Sequence, residues 1–343
     1  MTKKSIFTFK SVKNILVTLL VWAVIIEVLL RLILPVPFFD TTQVIRCLYP
    51  EYKTVKKRII PKDDDNFDVL ILGGSVVASY YPIEGLLKER LQKETTRPIK
   101  IHNVAEPAHT SLDSYIKYKS LTEKSFDLVL FYHAINETRV NNCPEEIFKE
   151  DYSHYSWYRA LHQIDRHKEL KWTILPYTIH YISIYIKEWI GSPDLIHFKS
   201  IREEWMDYGA NVKTKVSFQN NIEGILDIAK AKQEKVVLMG FSYYIADGYT
   251  KEKFINKELD YTVHNRAIEI WGKPDLVEKG ILAHNEVSKS MAQQNEGVYF
   301  MDQNAVINKN GTNFLDICHF TEAGSGEWVD HLVAFLKEEA LIE

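Results

Sequence analysis

Short, almost unbroken apolar runs recur along this chain, separated by stretches with helical spacing. Residues 67–72 (FDVLIL), 99–104 (IKIHNV), 128–132 (LVLFY), 235–239 (KVVLM) and 298–301 (VYFM) read as strands. Runs this continuous suit parallel strands covered on both faces, where strict alternation of polar and apolar residues is not required. Between them, residues 83–94, 218–231 and 277–293 repeat their apolar positions every three to four residues, and Phe218, Ile222, Ile225, Leu226 and Ala229 form one stripe. A last helix is expected over about 321–341, with Trp328, Leu332, Phe335 and Leu336 inward. Strands alternating with helices through short links predict an α/β fold with a doubly wound parallel sheet.

Two segments break that rhythm. The first is residues 15–34, ILVTLLVWAVIIEVLLRLIL, 20 mostly apolar residues. At ~1.5 Å per residue a helix of this length crosses a bilayer core. Glu27 and Arg31 interrupt it four residues apart, so on a helix they share a face and can pair, and Arg31 is near enough to the end to snorkel. Lys3, Lys4, Lys10 and Lys13 precede the segment, whereas between Pro35 and Glu51 the only basic residue is Arg46. The positive-inside rule then puts the N-terminus, residues 1–14, in the cytoplasm and residues 36–343 outside. A cleaved signal peptide and a buried helix of a soluble domain compete with this reading. The sequence PVPFFD that follows has no small-x-small cleavage site, however, and core helices seldom carry this much apolar length. Residues 15–34 are read as an uncleaved anchor in the lipid bilayer. Residues 35–66, with Pro35, Pro37, Pro50 and Pro61, a basic cluster at 56–58 and three aspartates at 63–65, are read as a stem leading to a domain over 67–343.

The second exception is an insertion at about 144–216, which holds Trp157, Trp172, Trp189 and Trp205 and seven tyrosines. Within it Ile179, Ile182, Ile186, Trp189 and Ile190 form a helical stripe. Three roles fit: a helical insertion that packs its aromatics into the core, a cap over a site, or a face at the membrane interface, where Trp and Tyr are favoured.

Composition changes this picture little, but it excludes alternatives. The 343 residues are 46% hydrophobic and carry 42 Lys+Arg against 46 Asp+Glu, for a net charge of −4. A disordered or collagen-like chain is excluded, and the near-neutral balance without a long basic run argues against nucleic acid as the ligand. Cys47, Cys143 and Cys318 contain no CxxC, so neither a zinc site nor a disulfide scaffold is expected.

In open α/β sheets ligands bind beyond the carboxyl ends of the strands, so the residues there are informative. The first strand is followed by Gly73-Gly74-Ser75, and the second by Ala105-Glu106-Pro107-Ala108-His109-Thr110-Ser111. The third is followed by His133-Ala134-Ile135-Asn136-Glu137, and the fifth, after a loop, by Asp316-Ile317-Cys318-His319-Phe320-Thr321. Together these are the parts of an acyl-transfer site. Ser75 needs a base, because a free hydroxyl is a weak nucleophile. His319 can take its proton, and Asp316 can hold the imidazole tautomer. The Asn136 amide, with the backbone N–H groups of Ser75 and Ala108, can receive the oxyanion. His109 and His133 fall on the same edge as possible pocket residues. Each has a plainer reading: Ser75 as a turn residue, Asn136 as a loop brace, and Asp316 and His319 as a helix-entry pair ahead of an N-cap at Thr321. Only their joint occurrence favours the chemical one.

In order along the chain, GGS, N-x-A-x-P-A-x-T-S, A-I-N-E and D-x-x-H-F-T-x-x-G resemble the four blocks of the SGNH/GDSL hydrolases over roughly residues 67–339, with the insertion unmatched. The resemblance implies a three-layer α/β/α fold, Ser75 as nucleophile, Ala108 at the second-block glycine, Asn136 in the oxyanion hole, and Asp316 and His319 completing a triad, with no metal and no cofactor. This sequence departs from the pattern at GGS in place of GDS, at Ala108 in place of glycine, and at Ala134 and Glu137 in the third block. The expected activity is a serine esterase acting on an O-acylated carbohydrate or glycolipid of the cell envelope. An O-acyltransferase, a non-catalytic binding module, and a metal-dependent hydrolase built on Asp316 and His319 are the alternatives. Asn136-Glu137-Thr138 is also a glycosylation sequon. A glycan there would block the proposed hole, so the reading suits a bacterial envelope.

Overall fold

The computed structural model describes residues 9–33, 65–121, 124–196 and 202–342. Nearly all of the expected stem, with Cys47, and the first lysines lie outside the described residues. In chain order the helices and strands are α1 (Phe9–Ile33), β1 (Phe67–Gly73), α2 (Ile83–Gln92), β2 (Ile99–Asn103), α3 (Ser111–Lys119), β3 (Leu128–Tyr132), α4 (Ile135–Asn141), α5 (Ser156–Arg166), α6 (Leu175–Trp189), α7 (Thr214–Lys232), β4 (Lys235–Met239), α8 (Lys251–Ile255), α9 (Pro274–Gln294), β5 (Val298–Met301), α10 (Gln303–Val306) and α11 (Glu322–Glu338). The chain divides into two compact units, Met1–Lys53 with Tyr152–Lys199, and Thr54–Asp151 with Ser200–Glu343.

The larger unit is a three-layer α/β/α domain. Its five strands are all parallel, in the order β2-β1-β3-β4-β5, with Leu70 opposite His102 on one side and Val129 on the other. Successive side chains of a strand face opposite layers. Val69, Ile71, Leu128 and Leu130 pack with Ile83, Leu87 and Leu91 of α2 and Trp328, Leu332 and Leu336 of α11. Leu70, Leu72, Val129 and Phe131 pack with Phe218, Ile222 and Ile225 of α7 and Val287 and Met291 of α9. Burial on both faces explains why these strands read as continuous apolar runs. The chain leaves β1 toward β2 at one edge and returns through β3 on the other side of β1. The crevice at the carboxyl ends of β1 and β3 is therefore the switch point at which such sheets bind ligands.

In the smaller unit, α1 contains a 22-residue span, Val12–Ile33, with mean hydropathy 2.5, long and apolar enough to cross a membrane. Arg31 Nε donates to Glu27 Oε1 at 2.6 Å, as the spacing predicts. Arg31 does not snorkel outward: it is buried, and its Nη2 donates to the Trp172 carbonyl at 3.3 Å. In α6, Tyr177 and Ile184 are buried, and the Tyr177 hydroxyl donates to the Ala160 carbonyl of α5 at 3.2 Å. The stripe Ile179, Ile182, Ile186, Trp189 and Ile190 is exposed, so it is not the core-packing face that the plainest reading of the insertion expects.

Candidate active site

Ser75 opens a single 3₁₀ turn directly after β1. A Cβ on Gly74 would fall 2.9 Å from Asn136 Nδ2, so a side chain here would push on that amide, and glycine lets the turn pass close to it undisturbed. The turn is held from β2: Asn103 Nδ2 donates to the Val77 carbonyl at 2.7 Å, and Asn103 Oδ1 accepts from Ala105 N–H at 3.0 Å.

The segment containing Asp316 and His319 is a closed loop. An antiparallel bridge joins Phe314 to Phe320, Leu315 N–H donates to the His319 carbonyl at 2.7 Å, and Tyr244 N–H donates to the Ile317 carbonyl at 2.8 Å. Asp316 is fully buried, and its Oδ1 accepts from the N–H groups of Cys318 at 3.0 Å and His319 at 2.9 Å. Its Oδ2 lies 2.8 Å from His319 Nδ1. A carboxylate held by two backbone donors accepts the Nδ1 proton, which leaves the Nε2 lone pair free. His319 Nε2 lies 2.8 Å from Ser75 Oγ. The imidazole is further fixed by Tyr81, stacked on it with ring centroids 5.6 Å apart, and by Trp271 at 6.3 Å.

Asn136 lies in the first turn of α4, buried, with Nδ2 donating to the His109 carbonyl at 2.8 Å. Its Oδ1 accepts from Trp271 Nε1 at 3.1 Å. An indole N–H is a donor only, so this contact sets which end of the amide is oxygen and keeps the NH₂ group on the Ser75 side. Ala108 has φ +61°, the left-handed region that glycine enters without strain and that costs an alanine about 1 kcal/mol. Among the described residues, neither the Ser75 nor the Ala108 N–H donates to a protein acceptor.

Behind this edge, Glu137 is fully buried and its Oε1 accepts from Ser111 N–H at 2.6 Å, tying the start of α3 to α4. Burial pushes its carboxyl up to about 7. His109 offers the site its carbonyl, while its ring is buried and pushed down to about 4 by desolvation. His133 is also buried, hydrogen-bonded to Ser114 Oγ at 2.7 Å, and pushed down to about 3 by desolvation. Both rings are neutral at ordinary pH. Ser75, Asn136, His133 and Phe241 help to line a cavity of about 10 Å³, close to the smallest that holds one water. On the His319 side, Tyr80, Tyr81, Pro82, Thr262, Leu315 and Phe320 line an open cleft of about 670 Å³.

Asp316, Cys318 and His319 offer ligand atoms within 4.8 Å of one another. The set suits a metal poorly. His319 Nδ1 is engaged by Asp316, and burial raises the Cys318 thiol well above its usual range, whereas metals bind the thiolate. Sequence reasoning misses Trp271 and Tyr81. Both sit in irregular segments without periodicity, and an isolated aromatic residue there carries no signal until its neighbours are known.

No protein-family model and no curated protein matches the chain. Solved structures with a similar course of chain include a lipase/acylhydrolase from Enterococcus faecalis, 14% identical, covering 79% of this chain and 96% of its own with a TM-score of 0.43. A GDSL-like lipase from Bacteroides thetaiotaomicron is 15% identical and covers 85% of this chain and 96% of its own, also with a TM-score of 0.43.

Proposed function

We propose that the chain is a membrane-anchored serine esterase that removes small acyl groups from an O-acylated carbohydrate or glycolipid. The observation that carries the reading is the relay of 2.8 Å contacts from Ser75 Oγ to His319 Nε2 and from His319 Nδ1 to Asp316 Oδ2. It stands at the switch point of the sheet, beside an amide whose NH₂ end is fixed. Ser75 Oγ attacks the ester carbonyl carbon while His319 Nε2 takes the hydroxyl proton. The carbonyl oxygen becomes an oxyanion and receives the Asn136 amide and the N–H groups of Ser75 and Ala108. The bond to the leaving oxygen then breaks, and His319 returns the proton to it, leaving an acyl-Ser75 ester. A water deprotonated by His319 attacks that ester and regenerates Ser75.

The two spaces divide the substrate. The cavity beside Ser75 and Asn136 has room for about one methyl-sized group, which favours the end of an acetyl group over a long chain. The cleft faced by Tyr80 and Tyr81 suits the alcohol, since sugar rings stack on aromatic faces. The basic N-terminus ahead of α1 supports an extracytoplasmic domain, in line with the positive-inside rule.

The test is a fluorophosphonate adduct mapped on the full-length protein, together with hydrolysis of aryl esters of increasing chain length. We expect the adduct on Ser75, and acetate cleaved at least tenfold better than octanoate. Ser75→Ala should lose at least a thousandfold in kcat with an unchanged melting temperature. Equal inertness of both proteins toward all the esters would overturn the proposal.

A further inference from the structure

The smaller unit solves a problem that the anchor creates. Glu27 lies six residues before Ile33, about 9 Å inside the apolar end of α1 at ~1.5 Å per residue. A carboxylate at that depth has no water and needs partners from the protein. They come from the start of α6. Glu27 accepts from Thr173 Oγ1 at 2.7 Å, from Ile174 N–H at 3.0 Å and from Leu175 N–H at 3.2 Å, in addition to Arg31. The first N–H groups of a helix lack intrahelical acceptors; the N-cap residue Ile174 offers no side-chain cap and only Thr173 Oγ1 reaches back, accepting from Leu175 N–H at 3.3 Å, so Glu27 completes the cap from another helix. On α1, Ala23, Glu27, Leu30 and Arg31 are the partly or fully covered positions; the other positions over residues 12–33 stand exposed.

The first turn of α6 is thus fixed at the depth of Glu27, and the helix is apolar on its outer side. Ile179, Ile182, Ile186, Trp189 and Ile190 recur at helical spacing and are between 50% and 86% exposed, with Trp172 just ahead at 68%. Fifteen residues make a helix of about 22 Å, too short to span a bilayer but suited to lying within one leaflet. The geometry points to α6 as a second membrane-embedded helix, its isoleucine stripe seated among lipid acyl chains of the leaflet at the Ile33 end of α1. Trp172 and Trp189 bracket the stripe where amphipathic rings favour the headgroup boundary. Lipid is the occupant because the start of α6 is bonded to Glu27 within the apolar span of α1, and the exposed stripe begins only one turn further on.

Full-length protein carrying Cys47→Ser, with Cys143 and Cys318 buried, would be spin-labelled in phosphatidylcholine/phosphatidylglycerol nanodiscs. Single cysteines at Ile182 and Ile186 would be compared with Leu20 on α1 and Glu223 on α7. We expect oxygen-to-nickel accessibility ratios at Ile182 and Ile186 within twofold of Leu20 and at least fivefold above Glu223. Ratios like that of Glu223 would overturn the inference. So would exclusion of both reagents with spin–spin broadening, which would mean a second copy covers the stripe. Ile190→Cys supplies another position should either label perturb the helix. Glu27→Ala should raise nickel access at position 182 severalfold, and no change there would remove the cap from the argument. None of these readouts uses catalysis, so they stand or fall apart from the esterase reading.

Discussion

Trp271 decides the orientation of a neutral amide. Without its N–H only the His109 carbonyl, which accepts from Asn136 Nδ2 at 2.8 Å, still holds the amide with its NH₂ group toward the oxyanion. Trp271→Phe should therefore lower kcat about three- to tenfold, the worth of one neutral hydrogen bond, with KM little changed. Asn136→Ala removes the donor itself and should cost 10²–10³ in kcat. Steady-state kinetics on an aryl acetate distinguishes the two, and equal losses would mean that Trp271 acts otherwise. Glu137 makes a different prediction. Its folded carboxyl is pushed up to about 7, chiefly by desolvation, from an ordinary value of 4.5. Between those values the folded state keeps a proton that the unfolded state has released, so this group's contribution to stability falls as pH rises from 4.5 to 7. Glu137→Gln keeps an acceptor for Ser111 N–H but cannot ionise. Relative to wild type it should gain stability across that window and level off above it, as parallel thermal melts at several pH values would show. The residues of the proposed chemistry were legible as a set, because each follows a strand or closes a D-x-x-H block. Trp271 and the cap on α6 were not, since their partners lie 135 and about 147 residues away in sequence.

At the level of elements, apolar periodicity located the five strands and the long helices because the sheet is buried on both faces and the helices on one. α3 and α5 were not read as helices, and short α4, α8 and α10 escaped as well, the last three being too brief for a period to register. The isoleucine stripe of α6 shows the limit of the method: periodicity finds an apolar face without saying whether protein or lipid covers it. The start of α11 is also informative. Thr321 Oγ1 caps it by accepting from Gly324 N–H at 3.1 Å, two residues past His319, and donates to the Thr312 carbonyl at 2.6 Å. Thr321→Ala should cost about 1 kcal/mol of stability. It should also loosen the loop that carries His319, so activity should fall at temperatures well below the melting transition. Melting curves and rate–temperature profiles of the same samples test both effects.

On the scale of the whole molecule, an apolar helix precedes an α/β domain whose sheet order puts the ends of β1 and β3 side by side. If the larger unit faces outward, a cysteine at exposed Glu223 should react with a membrane-impermeant maleimide in intact cells or spheroplasts. A residue in the cytoplasm should react only after lysis. Labelling of Glu223→Cys only after lysis would reverse the proposed orientation and, with it, the envelope substrate.

The carboxylate of Glu27 has one more implication. An anchor is usually treated as interchangeable, a greasy tether that any other of similar length can replace. Here the proposed tether supplies the stopper for another helix, so a foreign span of the same hydropathy should insert normally and still leave Thr173 Oγ1 and Ile174 N–H without their acceptor. Swapping the anchor would be a mutation of the fold, and chimeras should be judged by the order of α6 before their turnover is compared.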